Sequence, residues 1–295
     1  MELAMSLFSK VSIGALLCLG MSTLCHAEGP AGTLQKIAAR GTIVVGYRAA
    51  SVPFSMRSGG AAPTGYTLDL CAHIIDNIRK ELAPNLKVSY VEVKSSDRIQ
   101  KLLDGEIDLE CGSTTNTRER AEQVTFANTT FVTSSRILTH ASSPIKSVAG
   151  LKGQRVAIAQ GASVAPLLSK IDMEQGLNIH YVRVKDFTDG FQALDSGKVD
   201  AFVSDDIQFA EYIAHSAHPK DYAIVGDPIS IDALGIMMRK QDVQLHGIAN
   251  RTLSALVASG EFNKIYTKWF VTPSMHFPMS EELKKLLKNP GNQAY

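Results

Sequence analysis

Three arginines and one aspartate stand out in the sequence by where they fall. Arg48 follows an apolar run, Arg98 opens a helical stretch, and Arg120 comes shortly after the loop that starts at Thr114. Ser113 and Thr115 follow the apolar segment ending at Cys111, while Gln160, Ser163 and Asp205 come after two further apolar runs. A guanidinium is a planar fork that matches a carboxylate, and hydroxyls add donors beside it. The first group therefore suits an anion, and the second offers a carboxylate to a cation. An amino-acid zwitterion bridging the two has that pattern. One arginine suffices for an α-carboxylate, so further arginines imply a second carboxylate, as in glutamate or aspartate. Each charged hydrogen bond contributes about 1.5–3 kcal/mol. Taken singly, each residue has a plainer role: a solvated arginine, a helix-capping Ser113 or Ser163, an acidic surface pair at Asp205 and Asp206. The set carries the reading.

Bringing these side chains to one edge needs parallel strands. Residues 42–45 read as a buried strand, residues 65–82 as a helix with Leu68, Cys71, Ile74, Ile75, Ile78 and Leu82 on one face, and residues 87–93 as a strand. Ser96 is placed to cap a helix carrying Ile99, Leu102 and Leu103, and residues 107–111 form the next strand. This β-α-β-α-β order implies a parallel sheet covered by helices. The order then restarts, with strands at 155–159, 179–184 and 199–204, a helix carrying Leu167 and Leu168, and a helix from Asp189 to Gly197. RIQKLLDGEIDLECGS (98–113) and GFQALDSGKVDAFVSD (190–205) align without a gap, which sets Gly105 on Gly197, Asp108 on Asp200 and Ser113 on Asp205. Both units put a polar residue just past the carboxyl end of a strand, where open α/β sheets bind ligands. A strand at 234–238 and helices at 244–256 and 259–270 return the chain to the first unit. The expectation is two lobes with crossovers near 138–141 and 230–236, the first lobe from 28–139 and 236–295 and the second from 140–235, with a charged, weakly packed tail after Pro273.

Lys+Arg number 30 against 29 Asp+Glu, a net charge of +1, which argues against a broad nucleic-acid surface. Residues 1–27 read as a cleavable export signal: Lys10, a short apolar core, and Cys25-His26-Ala27 before a cut. Export makes a bridge between Cys71 and Cys111 permissible, but cysteine is often a plain core residue, and two separate buried thiols are the expectation. His215 and His218 lie three apart on an expected helix without a third ligand nearby, so neither a metal nor another cofactor is expected. No Ser-His-Asp order, Cys-His order or phosphate loop stands out.

Six stretches carry a resemblance that spans about Leu34 to Leu287: IVVGYRAASVPFS (43–55), GYTLDL (65–70), DRIQKLLDGEIDLECGSTTNTRER (97–120), LKGQRVAIAQGAS (151–163), LDSGKVDAFVSDD (194–206) and KWF (268–270). The sequence resembles the polar amino-acid substrate-binding proteins of bacterial ATP-driven importers, solute-binding protein family 3, and most closely the glutamate/aspartate-binding members. The resemblance implies the two-lobe type II periplasmic-binding-protein fold, each lobe a mixed, mainly parallel sheet flanked by helices, joined by a two-strand hinge. It implies that Ser113, Thr115 and Arg120 hold a ligand α-carboxylate with help from Ser163. Asp205 would then pair with the ammonium, and Arg48 and Arg98 would meet a side-chain carboxylate. Phe187 stands where those members carry a histidine near that carboxylate, which weakens strict selection of acids. The partners implied are a small amino acid and a membrane permease, for a monomeric periplasmic protein that is not an enzyme. The rival is a secreted cyclohexadienyl or arogenate dehydratase on the same fold, with Asp205 or Glu119 as general acid. A sensor ectodomain is a third reading, weakened by the lack of a later apolar span in this sequence.

Overall fold

A computed structural model describes residues 32–292 and residue 294, so the expected export signal lies outside the described residues. The chain begins with α1 (Thr33–Arg40), which stops where Gly41 takes a left-handed conformation and its N–H caps the last turn. β1 (Thr42–Tyr47) leads into a small hairpin of β2 (Ala50–Ser51) and β3 (Ser55–Met56). Then come α2 (Tyr66–Glu81), β4 (Lys87–Glu92), α3 (Arg98–Leu103), β5 (Leu109–Glu110), α4 (Arg118–Gln123) and β6 (Val124–Phe126). The chain continues with β7 (Phe131–His140), β8 (Arg155–Ala159), α5 (Val164–Gln175), β9 (His180–Val184), α6 (Phe187–Asp195), β10 (Ala201–Asp205) and α7 (Asp206–His215). It ends with β11 (Tyr222–Leu234), β12 (Met237–Arg239), α8 (Val243–Ser259), α9 (Glu261–Phe270) and α10 (Glu281–Lys288).

The strands form two five-stranded sheets, ordered β4-β1-β5-β12-β6 and β11-β7-β10-β8-β9. In each sheet a single strand, β12 or β7, runs against the other four. β7 and β11 are paired antiparallel from Phe131–Leu234 to Tyr222–His140. This ribbon joins the two halves. Phe131, Val132 and Leu234 belong to the core under the first sheet, while Ile137 and Leu138 belong to the cores of the second. The chain thus changes core between Val132 and Ile137, earlier than the crossover expected near 138–141.

The first core is aromatic. Phe131 packs against Phe54, Tyr66, Tyr266 and Phe270, and the Tyr66 hydroxyl donates to the Thr130 carbonyl at 2.7 Å. Asp69 of α2 accepts from both Lys268 and Trp269 of α9 at 2.7 Å, so two of the sequence's distinctive stretches, GYTLDL and KWF, meet in space.

Four local expectations change. Cys71 and Cys111 are joined by a disulfide across 40 residues, with Cα atoms 6.4 Å apart. Packing α2 on the first sheet brings the two buried residues within bonding reach, which composition alone does not reveal. The cap of α3 is Asp97 and not Ser96, and Asp97 Oδ1 accepts from the Lys94 N–H at 2.7 Å. Helix α6 starts at Phe187, two residues before Asp189, because the Asp186 carboxylate accepts from the Asp189 N–H. His215 ends α7 and His218 lies beyond it, so they share no helix; no group of three metal-ligating side chains occurs among the described residues. No described helix is long and apolar enough to cross a membrane.

Candidate functional site

The parallel strands deliver the site. β1 ends at Tyr47, so Arg48 emerges at its carboxyl end, with its backbone N–H fixed by the Ser55 hydroxyl at 2.8 Å. β5 ends at Glu110, and the loop Gly112-Ser113-Thr114-Thr115 follows the disulfide-bound Cys111. That loop is tied to the joining ribbon: Asn116 N donates to Ala233 O at 2.8 Å and Gly235 N to Thr114 O at 3.1 Å. From the second sheet, β8 ends before Gln160 and β10 ends at Asp205.

Between these strand ends lies a narrow cavity. Of the residues singled out in the sequence, Arg48, Arg98, Ser113, Thr115, Ser163, Phe187 and Asp205 line it. Arg120 does not; it lies in the adjoining groove and bridges the two halves, donating from Nη1 to Thr115 O and from Nη2 to Gly161 O, both at 2.9 Å. Gln160 is exposed and lines neither space; a strand-end position does not fix side-chain direction. Glu119, considered as a general acid, is exposed on the groove. Ser163 sits at the start of α5 without a capping bond from its side chain, and its hydroxyl instead meets the Thr115 hydroxyl at 3.1 Å across the cleft.

Three groups escaped the reading of the sequence. Ser95 and Ser204 line the cavity. Ser95 follows β4, so the same strand-end rule would have found it. Glu110 is fully buried beneath the arginines, and its Oε2 accepts from the Thr114 hydroxyl at 2.6 Å. Gly112 makes room for this packing: a Cβ there would stand 2.3 Å from Glu110 Oε1 and 2.8 Å from Arg48 Cγ.

Arg48 and Arg98 are each only 3% exposed, which is unusual for arginine. Burial, then repulsion from Arg98, lowers the Arg48 guanidinium to about 10, and the same two causes take Arg120 to about 9. Arg98 is also lowered, again mainly by burial, with Glu110 opposing the shift. Its Nε and Nη1 are buried and have no hydrogen-bond partner. Arg48 lies over the Phe187 ring, 5.7 Å from its centre. On the facing wall, burial and then the neighbouring Asp232 and Asp206 push the Asp205 carboxyl up to about 8. An anion beside the arginines and a cation beside Asp205 would relieve both strains.

The model of the bacterial extracellular solute-binding proteins, family 3, matches residues 43–272. The chain belongs to this family. As a family 3 solute-binding protein, it is 38% identical over 292 residues to the glutamate/aspartate import solute-binding protein of Escherichia coli K12, covering 95% of this chain and 97% of that one. It is 37% identical to the L-glutamate/L-aspartate-binding protein of Pseudomonas aeruginosa PAO1, over 100% of this chain and 99% of that one. Both relatives are named as binding proteins, not enzymes. Among solved structures, a mutant of ArgBP from T. maritima superposes with a TM-score of 0.72 at 28% identity, covering 81% of this chain and 99% of that one. The two-lobe type II fold expected from the sequence is therefore that of its structural neighbours.

Proposed function

We propose that this protein binds an acidic amino acid, glutamate or aspartate, in the cavity between its two sheets and delivers it to the permease of an ATP-driven importer. The observation that carries the reading is Arg98: two buried donors without a partner, beside Arg48 and across the cavity from Asp205. Buried polar groups are almost always paired, so donors of this kind call for an acceptor. In the proposed complex Arg48 and Arg98 meet the side-chain carboxylate. Ser113, Thr115 and Ser163 meet the α-carboxylate, with Arg120 closing the cleft above it, and Asp205 takes the ammonium. Phe187 walls the Arg48 side with an aromatic face and offers no hydrogen bond to the ligand, so discrimination between an acid and its amide rests on the arginines.

The mechanism is closure. Lobes bounded by the β7–β11 ribbon approach around the ligand, which binds the closed form better and shifts the population toward it. The bonds Thr115–Ser163 and Arg120–Gly161 span the cleft in the closed arrangement. Export to the periplasm accompanies this reading, supported by the family's description as extracellular solute-binding proteins, and action as a monomer is part of the same proposal.

Calorimetry on ligand-free protein with glutamate, aspartate, glutamine and asparagine tests it. The acids should bind at least tenfold more tightly than their amides. Equal affinity for acids and amides, or preference for a basic amino acid, would overturn the reading.

A further inference from the structure

Behind Ser113 lies a pair of side chains that touch no part of the cavity. The Ser113 hydroxyl is 2.6 Å from the Ser51 hydroxyl of β2, and Ser51 Oγ in turn accepts from Gln208 Nε2 of α7 at 3.1 Å. Ser51 is fully buried and Gln208 is 1% exposed, so solvent supplies neither with a partner. Reversing the Gln208 amide would strand both amine protons, whereas the present orientation pairs one of them and leaves Oε1 and the other proton without a partner, and a buried N–H is the rarer group to leave orphaned.

Counting protons then fixes the direction of the chain. A hydroxyl has one proton to give and two lone pairs to accept with. Ser51 already accepts from the amide, and its own proton has one acceptor in reach, the Ser113 oxygen. Ser51 must therefore donate to Ser113. The Ser113 proton, released from that contact, is free to point into the cavity that Ser113 lines. Hydrogen bonds in such a chain polarise one another in the same sense.

We infer that Gln208, acting through Ser51, is a positioning residue that sets Ser113 as a hydrogen-bond donor toward the ligand and so makes this corner of the cavity demand an acceptor. Gln208 precedes Phe209 of the second-sheet core and follows Ile207 of the first, so the relay starts where the two halves meet. The inference deepens the proposed ligand reading and rests on it.

The test uses Gln208→Glu, nearly isosteric but an acceptor. It would take the Ser51 proton, leave Ser51 to accept from Ser113, and turn the Ser113 proton away from the ligand. Calorimetry with glutamate and aspartate on wild type, Q208E, S51A and S51A/Q208E separates the relay from a simple charge effect. Q208E should weaken binding about ten- to a hundredfold in the wild-type background, the loss of one hydrogen bond to a charged group. The same substitution should cost less than threefold once Ser51 is alanine, because the messenger is gone. An equal cost in both backgrounds, or no cost in wild type, overturns the relay. Should Q208E fail to fold, Q208L and S51A carry the test: losses that do not add support the relay, and additive losses overturn it. Wild type that binds neither acid would instead overturn the ligand reading, so the two failures are distinct.

Discussion

Charge placement governs the site one side chain at a time. Arg98→Ala removes the unpartnered donors and should weaken acidic ligands at least tenfold more than it weakens glutamine or asparagine, read by calorimetry; equal losses would mean that Arg98 does not meet the second carboxylate. Asp205 brings a pH signature. Burial in the closed cavity without a ligand raises its pKa to about 8, and an ammonium partner requires the carboxylate. Binding should expel a proton at pH 7, and affinity should climb as pH rises through about 8. Calorimetry at pH 7 in buffers of different ionisation heat counts the proton, and D205N should abolish its release. Arg48 and Asp205 were legible because each lies at the carboxyl end of a parallel strand. Glu110 was not: in the sequence it looks like a solvated acid next to Asp108 and Leu109, and only the arginines packed over it explain its burial.

Elements decide how firmly those side chains are held. The bridge from Cys71 to Cys111 pins α2 to the strand end that leads into Ser113. Replacing both cysteines with serine should cost about 2–4 kcal/mol of stability, seen as a lower urea midpoint, and should loosen ligand binding as well. Gly161 is the counterpart on the other wall. Its φ is +75°, and a Cβ would lie 2.6 Å from the Ser95 carbonyl oxygen. Gly161→Ala should therefore hold the cleft apart and speed ligand release, with a smaller effect on the ligand-free melting temperature. Elements with clean apolar periodicity, such as α2 and β8, could be read in advance. β7 could not, because polar Thr133, Ser135 and Thr139 are buried in it. Thr133 and Ser135 find partners in Asp206 and Asp232 at 2.7 and 2.9 Å, and hydropathy cannot register carboxylates that arrive from distant segments.

On the scale of the whole molecule, one ribbon joins the two halves, and in the proposed closure their separation is what changes. Small-angle scattering should show a smaller radius of gyration on adding glutamate or aspartate and no change with a basic amino acid. An unchanged radius in the presence of a bound acid would argue against closure. The two-sheet plan was readable from the repeated β-α-β order and the echo between residues 98–113 and 190–205. The point at which the chain changes core was not, because a ribbon that serves both cores carries no break in its pattern.

The pairing of Phe131 with Leu234 has a further consequence. Everything between them leaves the first half and returns to it at adjacent positions, so the second half is a cassette with neighbouring ends. Grafting the corresponding segment of a relative would need only two peptide junctions and would replace one wall of the cavity, carrying Ser163, Phe187 and Asp205, while Arg48 and Arg98 stay behind. Ligand preference in this architecture can therefore be recombined by halves as well as changed residue by residue.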